Sequence, residues 1–501
     1  MTQERHADVI IVGGGPAGSV LAWDLARRGV QVLLLERARF PREKVCGDYV
    51  EPRGLRILQA MGCLEHLEPS KLLPIARTAT FVEWECRYSG PIPSYGLREG
   101  LPAHGYLIPR ERLDAAMLDT AMRAGAIVHE ETAVTGVRAG PAGVEVTAGR
   151  GPGTTRYRAQ LVVGADGVNS VVAKSQGLSV ADPRRTVVAQ RAYAVAEGEI
   201  GENGVFFDES LFPGYGWIFP MAGGRVNVGV GLLSETRRRR GANIPELFAS
   251  FVEGLRRHHP RCAAFNLCSQ PIGGVVRTYG AAGRNHFDGG LLIGDAGSFV
   301  DPVTGEGITP GMESALLAAP TLLSALETGQ FDAGGLAPYE AAFRAYFDPS
   351  MIFLDYCAAI LRNRHLARPS LKALARGCDL AQADAGFARM SGSFFGGQDI
   401  QPVGILGQMW ARIIQDVLLA WPRFLSGVTR SSRRPSGTSP GDLIEWQAAL
   451  SRSALSDPLW HARWMIDVQR QLAGLLATAA RTRRDPRAVG LLQSSLSPAW
   501  A

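Results

Sequence analysis

Four short apolar runs along the chain each end in glycine or an acidic residue. The runs are residues 9–12, 32–35, 161–163 and 291–293. Uninterrupted apolar runs of this length are typical of parallel strands that are buried on both faces. Residues 19–28 lie between the first two runs and precede Gly29, so they predict a connecting helix. The pattern therefore indicates an α/β fold built on a parallel sheet.

A different pattern follows in the middle of the chain, where apolar and polar residues alternate. Residues 225–230 read Arg-Val-Asn-Val-Gly-Val, and the rings Tyr215, Trp217 and Phe219 lie two residues apart just before them. Alternation is typical of antiparallel strands with two different faces. The sequence therefore predicts an antiparallel sheet with the three rings on one face. They would form either the wall of a site for a large apolar ligand or part of an ordinary sandwich core.

The first predicted turn has the composition of a nucleotide clamp. Residues 9–12 are followed by a GxGxxG turn that consists of Gly13, Gly15 and Gly18, with Pro16 and Ala17 inside it. Glycines at these places permit a tight turn, let the backbone approach a pyrophosphate, and let the helix pack closely on the strand. The second strand ends at Glu36 and Arg37, where a carboxylate can bind the ribose hydroxyls of an adenosine. An acidic residue there predicts FAD or NAD rather than NADP; a structural turn with a solvated Glu36 is the alternative.

Two later strand ends bring further acidic residues. Residues 161–164 run into Asp166 and Gly167, and residues 291–294 run into Asp295 and a loop at 301–308. Ligands bind at the carboxyl ends of the strands in open α/β sheets, so these ends predict contacts to one cofactor from three parts of the chain. Each Asp taken alone also fits a helix cap.

Composition narrows the possible partners. The 501 residues are 46% hydrophobic and 20% charged, which is typical of a globular protein of two or three domains. The net charge is +6, and basic clusters lie at residues 237–240, 430–434 and 481–487. They predict solvated surface, with an anionic membrane contact or a weak phosphate site as alternatives. No aromatic residues are interleaved with these arginines, which argues against nucleic acid.

The cysteines and the apolar segments indicate the cellular compartment of the protein. Seven cysteines are scattered without a CxxC pair, which argues against a zinc site or a disulfide framework and for a reducing compartment. The first apolar run leaves no room for a signal peptide, so we expect a cytoplasmic protein. Residues 403–421 contain too many polar groups for a membrane span but fit a peripheral contact with a membrane surface.

Taken in order, these motifs resemble the FAD-binding oxidoreductases of the para-hydroxybenzoate hydroxylase type. Residues 109–118 look like that family's arginine motif, which implies that Arg110 lies near the pyrophosphate and ribityl chain of FAD. The resemblance also implies that Asp295 binds the ribityl chain. It implies that the loop passes the isoalloxazine ring through Pro302, Gly305, Gly307 and Ile308. A helix N-terminus after this loop would stabilise the negative charge of reduced flavin.

Two further segments resemble the geranylgeranyl reductase family. Residues 40–48 look like its Pro-Arg-x-Lys-x-Cys-Gly segment, which contains Lys44, Cys46 and Gly47 here, and residues 214–220 look like its Tyr-x-Trp-x-Phe-Pro motif. The resemblance covers roughly residues 7–330. It implies that Lys44, Cys46 and Gly47 contact the flavin and that Cys46 is catalytic; a small buried residue is the alternative for Cys46.

The chain departs from the family pattern at Tyr49, at Met221 and in a longer C-terminal part. We expect bulky Tyr49 to reshape a substrate pocket that Tyr215, Trp217 and Phe219 also line. The substrate is then a large hydrophobic molecule, either a polyprenyl lipid or another terpenoid-like compound.

Two reaction classes fit this resemblance. In the first, NAD(P)H reduces FAD, the flavin returns hydride to a carbon–carbon double bond, and Cys46 or water supplies the proton. In the second, reduced FAD captures O2 as a C4a-hydroperoxide that hydroxylates or epoxidises the same ligand. A flavin-bearing interaction protein without catalysis is the third alternative. The motifs favour reduction, and the absence of a Trp-x-Trp-x-Ile-Pro pattern disfavours halogenation.

These placements define the expected domains. The FAD-binding domain is Rossmann-type and discontinuous: it spans residues 1–178, interrupted by an inserted piece at 61–99, and resumes at 276–335. The substrate sheet comes from that inserted piece, residues 61–99, and from residues 179–275. Residues 336–426 predict helices, with Phe343, Tyr346 and Phe347 at helical spacing. Residues 427–442 are rich in Ser, Arg, Pro and Gly and predict a linker, and residues 443–501 predict a last helical segment.

Overall fold

The computed structural model describes residues 5–92, 101–149, 153–179, 181–391 and 440–484. The helices of these residues are α1 (Pro16–Ala26), α2 (Pro52–Met61), α3 (Arg110–Arg123), α4 (Val171–Ser175), α5 (Ser234–Arg240), α6 (Ile244–His258), α7 (Ile308–Thr328), α8 (Ala333–Leu336), α9 (Pro338–Leu361), α10 (Ala367–Ala383), α11 (Ala385–Ser391), α12 (Pro440–Ser456) and α13 (Pro458–Arg484). The strands are β1 (Arg5–Val12), β2 (Val32–Leu35), β3 (Tyr49–Val50), β4 (Pro74–Ile75), β5 (Arg77–Val82), β6 (Glu85–Pro91), β7 (Gly105–Leu107), β8 (Ile127–His129), β9 (Val134–Gly140), β10 (Gly143–Ala148), β11 (Thr155–Gly164), β12 (Thr186–Val195), β13 (Asn203–Phe207), β14 (Tyr215–Pro220), β15 (Arg225–Leu233), β16 (Asn266–Leu267), β17 (Ile272–Arg277), β18 (His286–Phe287) and β19 (Gly290–Leu292).

The apolar runs form a parallel sheet with β1 at its centre. The strand order is β18-β19-β11-β1-β2-β8, and the pairs from β19 to β8 are parallel. Val9, Ile10 and Ile11 of β1 are fully buried. Helices α1, α3 and α7 cover one face of the sheet, and side chains of β9, β10 and α4 cover the other. β9 and β10 extend β11 as antiparallel strands.

The alternating segment forms the predicted antiparallel sheet, in the order β16-β12-β15-β14-β13-β5-β6 with β17 also on β12. One face packs on α6: the side chains of Val226, Val228 and Val230 join Phe248 and Phe251 in a buried cluster. The other face looks toward the parallel sheet. Strands β5 and β6, from the expected inserted piece, pair within this sheet. The exact domain boundaries stay a prediction.

After β19, the described chain forms helices joined by loops. Helix α13 packs along α9, and the Trp464 indole of α13 donates a hydrogen bond to the Ala359 carbonyl of α9 at 2.7 Å. A small sheet, β3-β7-β4, was not predicted. The α/β, antiparallel-sheet and helical parts of the fold prediction are confirmed.

Some sequence predictions lie outside the described residues. They are the apolar stretch at 403–421, the basic cluster at 430–434, residues 485–487 of the cluster at 481–487, and residues 427–439 of the linker predicted at 427–442. The last three residues of that predicted linker are helical instead, because α12 begins at Pro440. Within the described ranges, none of the helices combines the length and apolarity needed to cross a membrane.

Candidate cofactor and substrate site

The three clamp glycines have different surroundings. A Cβ on Gly13, whose φ is +105°, would lie 2.4 Å from the Ala165 carbonyl oxygen, and one on Gly18 would lie 1.9 Å from the Gly13 carbonyl oxygen. A Cβ on Gly15 would approach only the Arg42 guanidinium, at 3.8 Å. Gly13 and Gly18 therefore allow the strand and helix to touch, whereas Gly15 has open space beside its backbone.

That open space faces the start of α1. Pro16 begins the helix, and Gly15 offers no side chain to cap it, so the first backbone N–H groups have no capping side chain. Backbone N–H groups at a helix N-terminus bind phosphate, because the helix dipole favours negative charge there. The open space beside Gly15, called the cradle below, and the start of α1 therefore fit a pyrophosphate.

Glu36 closes the other side of the turn. Its buried carboxylate accepts hydrogen bonds from the Gly14 N–H at 2.7 Å and the Ala38 N–H at 2.9 Å. Arg42 lies 3.9 Å from Glu36 and 3.1 Å from the Asp114 carboxylate. Glu36 therefore organises the turn even without a ligand, and its expected contact to a ribose stays a prediction.

A cavity of about 430 Å³ lies where the clamp meets the antiparallel sheet. Most of the predicted site residues line it: Gly15, Pro16, Ala17, Lys44, Cys46, Gly47, Tyr49, Arg110, Gly167, Tyr215, Trp217, Phe219, Asp295, Pro302, Gly305, Gly307 and Ile308. These residues come from distant parts of the chain, so tertiary folding brings the predicted cofactor and substrate residues to one place.

Five predicted residues lie outside the cavity wall: Gly13, Gly18, Glu36, Arg37 and Asp166. The Arg37 side chain is exposed. Asp166 accepts hydrogen bonds from the Val171 and Val172 N–H groups, at 2.5 and 3.3 Å, and so caps α4. Its second carboxylate oxygen, Oδ1, is buried without a partner. The cofactor contacts expected of these residues stay predictions.

Asp295 and the start of α7 form the far side of the cradle. The Asp295 carboxylate lies 3.4 Å from the Lys44 ammonium. A Cβ on Gly307 would lie 3.3 Å from the same carboxylate. Glu306 accepts a hydrogen bond from the Thr309 N–H at 2.8 Å, in the first turn of α7. Burial and the nearby Glu51 carboxylate raise the pKa of Glu306 well above its usual range. A proton retained on Glu306 would leave the dipole at this helix start available to another negative charge.

Cys46 interacts with both Arg110 and Asp48. Arg110 is buried and makes a two-point ion pair with Asp114, at 2.6 and 2.7 Å, and its guanidinium lies beside the Cys46 thiol. Burial raises the pKa of Cys46 above its ordinary value of 9.0, although Arg110 acts in the opposite direction. The thiol therefore keeps its proton at neutral pH.

The predicted aromatic wall is present. Ring centroids of Tyr215 and Trp217 are 6.0 Å apart and those of Trp217 and Phe219 are 6.2 Å apart, while Tyr49 reaches Phe219 from across the cavity at 6.2 Å. The Tyr215 hydroxyl donates to the Thr304 carbonyl in the loop before α7. The intervening Ile218 faces the opposite core, as the strand period requires.

Sequence reasoning missed four polar residues around this wall: Asp48, Arg191, Tyr193 and Asn227. The Asn227 amide accepts from the Trp217 indole and donates to both the Cys46 carbonyl and the Asp48 carboxylate, each at 2.9 Å. Asn227 does alternate in phase with Gly229 and Gly231 along β15, so its place on the pocket face was readable. For Asp48, the only indication in the sequence was its position directly after Cys46 and Gly47.

Comparison with known proteins agrees with this geometry. A protein-family model described as an FAD binding domain matches residues 6–347. A menaquinone reductase of Mycolicibacterium smegmatis is 33% identical over 378 residues, which cover 72% of this chain and 84% of that protein. A digeranylgeranylglycerophospholipid reductase of Methanothermobacter thermautotrophicus is 30% identical over 350 residues, covering 67% and 83%.

Among solved structures, a geranylgeranyl bacteriochlorophyll reductase-like protein of Thermoplasma acidophilum shares the fold. Its TM-score is 0.65 at 21% sequence identity, and the match covers 75% of this chain and 92% of that one. The family model spans more than half of the chain, and its cofactor fits the open cradle at Gly15. The chain therefore belongs to the FAD-binding domain family, as an FAD-dependent oxidoreductase of the geranylgeranyl reductase type.

Proposed function

We propose that the protein reduces a carbon–carbon double bond of a large hydrophobic, isoprenoid-like substrate, with NAD(P)H as the reductant. The observation that carries the proposal is the joint position of a protonated thiol, an aromatic wall and the FAD cradle around one cavity. The names of the two reductases described above, which concern a quinone and a geranylgeranyl lipid, support the same class of substrate.

FAD, when bound, supplies the transfer of hydride from the nicotinamide to the substrate. The balance of the reaction is one hydride from NAD(P)H and one proton from the protein, which together saturate the double bond. An isolated alkene accepts hydride poorly, so the proton donor has to be close to the reacting carbons.

Cys46 is suited to that role. Its raised pKa keeps Sγ protonated, and the Asp48 backbone N–H and the Arg110 guanidinium, which act to lower that pKa, would help to stabilise the thiolate left after proton transfer. The Asn227 amide holds the Cys46 carbonyl at 2.9 Å, so the donor is attached to the antiparallel sheet. Bulk water would then restore the proton.

The aromatic wall binds the substrate and excludes water. Trp217 is buried between Gly229 and Gly47, and rings of this size remove a large apolar area from water when a ligand packs on them. Water exclusion strengthens the electrostatic interactions in the site and limits side reactions. A hydrophobic lipid or terpenoid fits such a wall better than a small polar substrate does.

The experiment is turnover under nitrogen. FAD-loaded protein, NADH or NADPH, and menaquinone or a geranylgeranyl lipid are expected to give a product whose prenyl chain is two hydrogen atoms heavier, without O2. A product that forms only in air and carries label from 18O2 would identify an oxygenase instead. Binding of FAD without consumption of NAD(P)H beyond one equivalent, with any of these lipids, would indicate a protein that only carries the cofactor.

A further inference from the structure

The cavity face of the antiparallel sheet changes from apolar to polar along its strands. Aligned across β12, β15 and β14, one row is Ala189, Gly231 and Tyr215, the next is Arg191, Gly229 and Trp217, and the last is Tyr193, Asn227 and Phe219. Val187 and Phe207 continue the apolar end, where Ala358 and Leu361 of α9 also line the cavity, and Val205 pairs with Trp217 in the middle row. A ligand along the strands therefore meets a polar end and an apolar end.

Arg191 is the first unusual group of the polar end. It is 1% exposed and is the largest fully buried side chain in the described part of the chain. One guanidinium nitrogen, Nη2, lies 2.8 Å from the Glu43 carboxylate, but Nε and Nη1 have no hydrogen-bond partner. The guanidinium stacks on the Tyr193 ring at 4.3 Å, which fixes its direction. Buried N–H donors without partners are costly, so a ligand that accepts from them gains affinity.

Asp48 is the second group. Its carboxylate oxygen Oδ2 accepts from the Tyr193 hydroxyl at 2.5 Å and from the Asn227 amide at 2.9 Å, while Oδ1 is buried without a partner. Its φ of +62° is rare outside glycine, so the backbone holds this carboxyl group in place at a cost. Asp48 and Arg191 both line the cavity, yet no ion pair within 4.0 Å joins these two described residues. The unpartnered N–H groups of Arg191 and the unpartnered oxygen of Asp48 are therefore not bonded to each other.

We propose that Arg191 and Asp48 form a polar subsite for the head of an amphiphilic substrate, a hydroxyl or amide group that accepts from Arg191 and donates to Asp48. The apolar tail then lies along Trp217 and Tyr215 toward α9. The inference deepens the proposed function, since the ligand is the substrate of the same site. A phosphate head is disfavoured, because its charge would lie against the Asp48 carboxyl group.

The test is equilibrium binding to FAD-loaded, oxidised protein without reductant, so that no turnover is involved. The ligands are geraniol, its methyl ether, the hydrocarbon that lacks the oxygen, and geranyl phosphate. Flavin difference absorbance and tryptophan fluorescence report binding. Loss of one hydrogen bond to a charged partner predicts that geraniol binds at least about tenfold more tightly than the methyl ether, which cannot donate.

Two variants and one control complete the design. Asp48→Asn is expected to weaken the preference for geraniol over the methyl ether, because a neutral amide replaces the charged acceptor. Arg191→Met is expected to remove the preference of geraniol and the methyl ether over the hydrocarbon, because both oxygens accept from Arg191. Both variants are expected to leave hydrocarbon affinity within about twofold. Arg225→Met is the control, because Arg225 stacks on Tyr193 at 5.1 Å from the exposed side and does not line the cavity. FAD content and thermal melting establish that each variant is folded.

The outcomes separate this inference from the proposed reaction. Equal affinities of wild type for geraniol and its methyl ether, or tighter binding of geranyl phosphate than of geraniol, would overturn the subsite. An unchanged geraniol-over-ether preference in Asp48→Asn, or an unchanged ether-over-hydrocarbon preference in Arg191→Met, would also overturn it. The binding preference is measured without NAD(P)H, so it stands or falls even if no alkene is reduced. Conversely, a confirmed alkene reductase without the preference would retain its proposed function and lose the subsite.

Discussion

At the scale of single residues, glycine is required at three neighbouring positions for different reasons. Substituting Gly15 by Val adds a branched side chain to the open space of the cradle, where only Arg42 is near. We expect this variant to fold normally and to lose FAD, measured as the flavin absorbance of the purified protein.

The control for this prediction is Gly18→Ala. There the new Cβ would lie 1.9 Å from a backbone oxygen, so the fold itself is expected to suffer. A Gly15→Val protein that still contains one FAD per chain would contradict the assignment of the pyrophosphate site.

Asp295 and Asp166 follow similar strands but have different local roles. Asp295→Ala is expected to weaken FAD binding by about tenfold or more, because hydrogen bonds to a charged group contribute about 1.5–3 kcal/mol each. Asp166→Ala removes a cap from α4 and is expected to lower the free energy of unfolding by about 1 kcal/mol. FAD titration and denaturant unfolding of both variants check this. A loss of FAD affinity below threefold in Asp295→Ala would make Asp295 a structural residue.

Cys46 carries the chemical prediction. Cys46→Ser is expected to keep FAD binding and flavin reduction by NAD(P)H while slowing product formation by about 10² to 10⁴, the usual contribution of general acid catalysis. Stopped-flow flavin absorbance and product analysis separate the two steps. Equal slowing of flavin reduction would place the defect elsewhere.

The pH dependence of the wild type tests the same thiol. A donor must be protonated, and the pKa of Cys46 lies above 9.0, so product formation is expected to persist through neutral pH and fall only as the pH rises past that raised pKa. A decline beginning near pH 7 would exclude Cys46 as the proton donor.

At the scale of elements, strand β14 packs its rings against strand β15 at positions where β15 has glycine. A Cβ on Gly229 would lie 2.2 Å from the Trp217 ring and 2.7 Å from the Gln190 carbonyl, whereas one on Gly231 has its nearest neighbour at 3.7 Å. Gly229→Ala is therefore expected to lower the free energy of unfolding by about 1–3 kcal/mol through overpacking, and Gly231→Ala to leave it nearly unchanged. Denaturant unfolding of the two FAD-loaded variants checks the difference, and equal stability would mean that Trp217 moves freely.

At the scale of the whole molecule, the C-terminal helices support the apolar end of the cavity from outside. Trp464 is buried and bonded to α9, whose Ala358 and Leu361 line the cavity. Trp464→Ala is expected to cost about 3–5 kcal/mol of stability and to weaken ligand binding while FAD stays bound.

Leu459→Ala provides the matched control on the same helix, because Leu459 is 76% exposed. Thermal unfolding and ligand titration measure both variants. An unchanged ligand affinity in Trp464→Ala, with the expected loss of stability, would show that α9 keeps its position without α13.

The sequence by itself determined the local elements, because hydrophobic period and glycine spacing are properties of neighbouring residues. The clamp at Gly15, the ring alternation at Trp217 and the helical spacing at Phe343 were readable for that reason. Only the tertiary structure decided which strand ends meet, that Arg37 is exposed, and that Asp166 caps a helix. It alone revealed Asp48 and Arg191, since a buried polar group differs from an exposed one only in what distant parts of the chain place around it.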